Sequence, residues 1–251
     1  MNLVKIALLK ADYVNADLIP EHGDLPDMFS RYLDTAFPNV SKQMDVYDIR
    51  HEALPDAAAY DLLIISGSRF SVNDADPWLS RLFAFIRDVS ETGPPLVGFC
   101  FGHQALATAL GGRVGATPVG WNVGLWPVEI TAPAPWMNPA RPAFLALFNH
   151  REQVLDLPHA AVVHASSPRC PVQMFSYHDR ILGMQFHPEY MVGYQEAIMA
   201  VPKGLSREIF EDAISRNRDP RTDQHVGHWI AAFHGMAVKP HRFHALAGDR
   251  K

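Results

Sequence analysis

A lone cysteine with a glycine two residues to either side, Gly98-Phe99-Cys100-Phe101-Gly102, constrains the fold of this chain more than any other feature. The apolar run before it, residues 95–99, reads as a buried strand, and residues 105–110, stopped by Gly111-Gly112, read as a helix. Cys100 therefore falls at a strand-to-helix junction, where the flanking glycines remove the side chains that a sharp, strained turn would make collide. The helix directs unpaired backbone N–H groups and the positive end of its dipole at the sulfur, which stabilises negative charge there. It also places the N–H of Phe101 to bond an oxyanion.

A second segment supplies what a thiol nucleophile needs. Residues 181–186 read as another buried strand, with His187 at its end and Pro188 preventing its continuation through the sheet. Glu189, two residues on, can accept a hydrogen bond from one ring nitrogen of His187, which fixes the tautomer and leaves the other nitrogen facing the thiol. Each residue alone has an ordinary explanation: free cysteine is commonly buried for packing, and a histidine before proline is commonly a loop residue. Their joint occurrence carries the reading of Cys100, His187 and Glu189 as nucleophile, base and orienting acid.

The pattern along the chain is α/β. Strand-like runs at 4–9, 44–49, 62–65 and 96–99 alternate with helical spacing at 25–37, 77–89 and 103–110. Such alternation predicts a mostly parallel central sheet with helices on both faces. After Gly112 come shorter strands at 123–130, 161–166, 172–176 and 181–186, and the proline-rich stretch 131–139 reads as a surface loop. Helical spacing returns at 190–200, 204–216 and 225–236, with Asp219-Pro220 as a break and 241–251 as a frayed tail. Ile209, Phe210, Ile214, Trp229, Ile230 and Phe233 are expected to pack this extension onto the core, so the organisation is one domain over 1–200 and a C-terminal helical extension over 201–251.

These segments resemble the class I (triad) glutamine amidotransferase family, in the branch of GMP-synthase-like amidotransferases that includes γ-glutamyl peptidases. The resemblance runs from about Val4 to Glu189 and takes in two further motifs. Ser66-Gly67-Ser68-Arg69-Phe70-Ser71-Val72 is similar to the family's oxyanion loop, and Phe148-Asn149-His150-Arg151-Glu152-Gln153-Val154 to the segment bordering its glutamine site. The resemblance implies a flavodoxin-like fold and attack by Cys100 on a side-chain amide carbon. His187 would serve as base and then as acid for the leaving ammonia, and Glu189 would orient it. The N–H groups of Gly67 and Phe101 would form the oxyanion hole, each contributing roughly 3 kcal/mol. Gln104 and Asn149 match positions that contact bound glutamine. Arg151 departs from the family's usual glycine, so a backbone contact is expected there, with the side chain altering the rim.

Composition narrows the alternatives. A formal charge of −5 gives no electrostatic reason to expect nucleic acid or an acidic membrane surface. No apolar run approaches the ~20 residues that span a bilayer, and two cysteines, Cys100 and Cys170, argue against a disulfide scaffold. With no secretory signal in view, a cytoplasmic location is expected. The 13 histidines are scattered, so no metal or other cofactor is expected. The family resemblance implies a small-molecule substrate, glutamine or a γ-glutamyl compound. Three readings follow: a glutaminase feeding a separate synthase subunit, a stand-alone γ-glutamyl peptide hydrolase, and, least favoured with the triad intact, a non-catalytic binding protein. Phe70, Trp121 and Trp126 are expected near the mouth, as pocket lining or core before docking surface.

Overall fold

The computed structural model describes residues 3–201, 204–217 and 225–235. Its strands are β1 (Val4–Lys10), β2 (Lys42–Asp48), β3 (Leu62–Ile65), β4 (Leu96–Phe99), β5 (Arg113–Ala116), β6 (Asn122–Ile130), β7 (Ala143–His150), β8 (Glu152–Asp156), β9 (Ala161–Ser167), β10 (Cys170–Tyr177) and β11 (Ile181–Met184). The helices are α1 (Ile19–His22), α2 (Leu25–Ala36), α3 (Pro77–Thr92), α4 (Phe101–Ala109), α5 (Val192–Ala200), α6 (Arg207–Arg216) and α7 (His225–Phe233).

Nine strands form one sheet in the order β2-β1-β3-β4-β11-β10-β9-β6-β7, and β5 pairs with β8 in a separate ribbon. The first five are mutually parallel. Across the antiparallel pairings that follow, every strand except β10 and β6 runs in the same sense. β3, β4 and β11 are buried at every position. That is why they read as continuous apolar runs, since a central parallel strand is covered on both faces.

Alternate residues of these strands feed two cores. Ile6, Leu8, Ile64, Phe99 and Met184 pack under α2 and α7, while Leu9, Leu63, Ile65, Leu96 and Ile181 pack under α3 and α4. α2 begins with a capping box, Asp24 and Asp27 each bonding the other's backbone N–H. α6 lies against β6, where Gly124, at φ +89°, meets Ala213, and Asn217 Oδ1 accepts a 3.0 Å bond from the N–H of Leu125. α7 packs on α2 with Gly227 against Ala36, too close for any Cβ at 227.

Three differences from the sequence reading stand out. β5, β7 and β8 occupy stretches given no strand above. The loop 131–139 is not merely surface: Met137 is buried, and Trp136 packs edge-on against His164 and Phe233. Trp126 is not at the mouth but stacks between the guanidinium groups of Arg169, at 4.5 Å, and Arg216, at 3.7 Å. The proposed Asp219-Pro220 break, residue 236 and the tail 241–251 lie outside the described residues.

Candidate active site

The carboxyl ends of β1, β3, β4 and β11 converge on one cavity of about 870 Å³, whose wall includes Asp12, Gly67, Cys100, Gln104, His150 and His187. In a sheet of order 2-1-3-4-5 ligands bind outside this edge, where the strand order reverses.

Cys100 occupies the turn between β4 and α4 at φ 49°, ψ −99°, a conformation strained for an L residue. The glycines around it are dictated by contact. A Cβ on Gly98 would stand 2.4 Å from the carbonyl carbon of Gly102, and one on Gly102 would stand 2.5 Å from the carbonyl oxygen of Ile65. The N–H of Cys100 donates to the carbonyl of Met184 at 2.8 Å, tying the turn to the end of β11. Phe101 is the first residue of α4, so its N–H has no carbonyl within the helix to meet.

His187 follows β11 and donates its backbone N–H to Leu147 at 2.9 Å. Its Nδ1 lies 2.8 Å from Oε1 of Glu189, with side chains 2% and 0% exposed respectively. The imidazole stacks flat on Tyr190, centroids 3.9 Å apart and planes 7° off parallel. Burial works against its protonation, but the Glu189 carboxylate and then the Cys100 sulfur outweigh it and hold the imidazole above its ordinary pKa. Nε2 is buried and makes no hydrogen bond among the described residues. Gly67 closes over both groups: a Cβ there would be 2.8 Å from Cε1 of His187 and 3.7 Å from Cβ of Cys100.

The remaining expected residues border the same cavity. Gln104 donates through Nε2 to the carbonyl of Glu152 at 2.8 Å and to Oε1 of Gln185 at 3.2 Å. Asn149 sits near the end of β7, opposite Val123 of β6. The carbonyl of Arg151 accepts a 2.9 Å bond from Thr117, and its exposed guanidinium lies 6.0 Å from the ring of Trp121.

Four cavity or near-cavity residues were not singled out from sequence. Gln185 donates to the Cys100 sulfur at 3.5 Å, so Gln104 and Gln185 form an amide relay ending on the thiol. His150 is buried, with Nε2 3.2 Å from Nδ2 of Asn122, which makes Nε2 the acceptor; burial, then the nearby His187, pushes its pKa down to about 3. Asp12 is a buried carboxylate at the end of β1, and Tyr190 backs His187. His150 lies inside the motif 148–154 and Gln185 at the end of the strand reading 181–186, so each had a local signal. Asp12 and Tyr190 had none.

Cys170 contrasts with Cys100. It is fully buried, and burial pushes its thiol up to about 12, leaving it a packing residue. Among the described residues no group of three or more His, Cys, Asp or Glu side chains could hold a metal ion. Nor is any helix among them long and apolar enough to cross a membrane.

Fold and cavity together define a doubly wound α/β protein with a cysteine elbow facing a buried imidazole–carboxylate pair. A family model described as glutamine amidotransferase class-I matches residues 23–200, and the chain belongs to that family. It is 28% identical to a glutamine amidotransferase-like protein of Schizosaccharomyces pombe over 91% of this chain and 97% of that one. It is 33% identical to γ-glutamyl peptidase 5 of Arabidopsis thaliana over 68% of this chain and 64% of the peptidase. A GMP synthase of Aeropyrum pernix is 36% identical over 70% of this chain, which corresponds to 30% of the synthase. Among solved structures, a glutamine amido transferase from Methylobacillus flagellatus superposes with a TM-score of 0.65 at 23% identity, covering 96% of this chain and 98% of that one. A glutamine amidotransferase from Thermotoga maritima gives 0.67 at 20% identity, covering 92% and 98%. These two likenesses establish the α/β fold.

Proposed function

We propose that this protein hydrolyses γ-glutamyl amides through a thioester on Cys100. The observation that carries the reading is the position of Cys100 on its elbow beside the buried His187–Glu189 pair, in the wall of a ligand-sized cavity. Cys100 Sγ attacks the γ-carbonyl carbon, and the developing oxyanion takes the N–H groups of Gly67 and Phe101. His187, holding the thiol proton on Nε2, passes it to the departing nitrogen as the C–N bond breaks. Glu189 keeps the other ring proton on Nδ1 throughout. A water then gives its proton to His187 and attacks the thioester, releasing the γ-carboxylate and restoring the thiol. Gln104, Asn149 and the backbone at Arg151 hold the glutamyl part.

The cavity has room for a γ-glutamyl conjugate as well as for glutamine. At the roughly 30 Å³ a water molecule takes in the liquid, an amino acid of about ten non-hydrogen atoms fills at most about 300 Å³. Some two thirds of the 870 Å³ remains for a leaving amine larger than ammonia.

The test uses the purified chain alone. Ammonia release from glutamine is compared with amine release from a panel of γ-glutamyl peptides, and a glutamine-like chloroketone is used to label the protein. The expected result is adduct on Cys100, none on Cys170, and faster turnover of the peptides. Adduct on Cys170, or turnover that persists in Cys100→Ala, overturns the proposal.

A further inference from the structure

Asp12 is an ionisable, buried side chain in the wall of the cavity, yet the reaction outlined above gives it no task. Its carboxylate is 10% exposed and surrounded by donors. Oδ2 accepts the backbone N–H of Arg69 at 2.8 Å, and Oδ1 accepts the N–H of Tyr13 at 2.8 Å and the guanidinium of Arg69 at 3.1 Å. A buried carboxylate is costly unless its lone pairs are used, and here they are used on two backbone N–H groups and the Arg69 guanidinium. Next to it, the N–H of Ala11 donates to Oγ of Ser66 at 3.0 Å, that hydroxyl donates to the carbonyl of Gly67 at 2.9 Å, and Oγ of Ser68 donates to the carbonyl of Ala11 at 3.3 Å. The residues just after β1 are thus tied to Ser66, Ser68 and Arg69, on both sides of Gly67. Within that segment a Cβ on Gly67 would stand 2.8 Å from Cε1 of His187 and 3.7 Å from Cβ of Cys100.

We infer that Asp12 is a positioning residue for the oxyanion loop: by fastening Arg69 and Tyr13 it holds the Gly67 N–H where the tetrahedral oxyanion forms. The inference rests on the amidohydrolase reading and adds to it a residue 88 positions from the nucleophile. Asp12 touches neither substrate nor sulfur in this scheme. It acts through the loop, and its loss is felt in the transition state rather than in substrate affinity.

The experiment separates oxyanion stabilisation from thiol reactivity. Alkylation of Cys100 by iodoacetamide displaces iodide at a saturated carbon and forms no oxyanion, whereas hydrolysis of a γ-glutamyl anilide forms one. Both rates are measured for the full chain as wild type, Asp12→Asn and Asp12→Ala, with far-ultraviolet circular dichroism to show that each is folded. Asp12→Asn keeps the volume and one acceptor oxygen, so it carries the test if Asp12→Ala fails to fold.

The expected result is a fall in kcat on the order of 10²-fold, smaller in Asn than in Ala, with KM and the alkylation rate within about threefold of wild type. A raised KM with kcat retained would make Asp12 a substrate contact and overturn the inference. So would an alkylation rate that falls in step with kcat, or a kcat that does not change. A wild-type chain that alkylates at Cys100 but cleaves no γ-glutamyl amide overturns the amidohydrolase reading itself, and the Asp12 role with it.

Discussion

Replacing Cys100 by glycine and by alanine offers a direct measure of the strain stored at the elbow. Both variants lack the proposed nucleophile, so activity is not expected to distinguish them, and the difference in their stabilities isolates the backbone. At an ordinary buried site, glycine is less stable than alanine by about 0.5–1 kcal/mol of chain entropy plus about 0.8 kcal/mol for the lost methyl group. At φ 49°, ψ −99° the alanine variant keeps a Cβ in a region L residues avoid, a cost of about 1–3 kcal/mol that glycine does not carry. The strain therefore offsets much of the ordinary penalty or reverses it. Cys100→Gly is expected to lie between about 0.8 kcal/mol less stable and about 1.7 kcal/mol more stable than Cys100→Ala, each kcal/mol corresponding to about 2–4 °C in Tm for a chain of this size. Urea titration of both, with equal slopes, gives the comparison as a shift in midpoint. A glycine variant more than about 1 kcal/mol less stable than the alanine variant would mean that the elbow stores no strain.

Acid should unfold the protein through two histidines that the site does not use as bases. His103 and His150 are buried, and burial pushes each down to about 3. Their contribution to stability is intact above the unfolded value near 6.5 and is lost as pH falls towards 3. At pH 5 each costs about 2 kcal/mol, while His187, raised to about 10, has its full contribution only below about 6.5 and so returns about 1.4 kcal/mol between pH 7.5 and pH 5. The net loss is about 2.7 kcal/mol, and a urea midpoint unchanged between these two pH values would contradict it. Gly67→Ala places a methyl group 2.8 Å from Cε1 of His187, so kcat should fall about 10²-fold while stability changes by less than about 3 kcal/mol. A variant with wild-type kcat would show that the loop has room to spare.

What could be read from the sequence depended on whether the cause was local. The elbow was legible because Gly98 and Gly102 meet backbone within a few residues or on the adjacent strand, leaving a fixed pattern around Cys100. β3, β4 and β11 were legible because burial on both faces makes their sequences continuously apolar. β7 and β8 were missed because only Arg151 separates them and no glycine or asparagine-glycine turn marks the change. Asp12 carried no signal, since its partner Arg69 is 57 residues away and the bond between them is made by the fold. The same holds for Trp126, whose place between Arg169 and Arg216 is set by α6 and the turn before β10 rather than by its own strand.

β11 enters the sheet between β4 and β10, and this insertion fixes when the thiol meets its base. A growing chain that has completed α4 carries β1, β3 and β4 but lacks Met184, whose carbonyl ties the Cys100 turn to β11. It has neither the imidazole nor the Gln185 amide, because both arrive on the strand that docks last among the five parallel ones. At a synthesis pace of about 5–20 residues per second, the roughly 90 residues between Cys100 and His187 take on the order of 4–18 s. Through that interval the chain carries the Cys100 thiol without His187, which on the proposed reading is its base and which comes alongside when β11 pairs with β4.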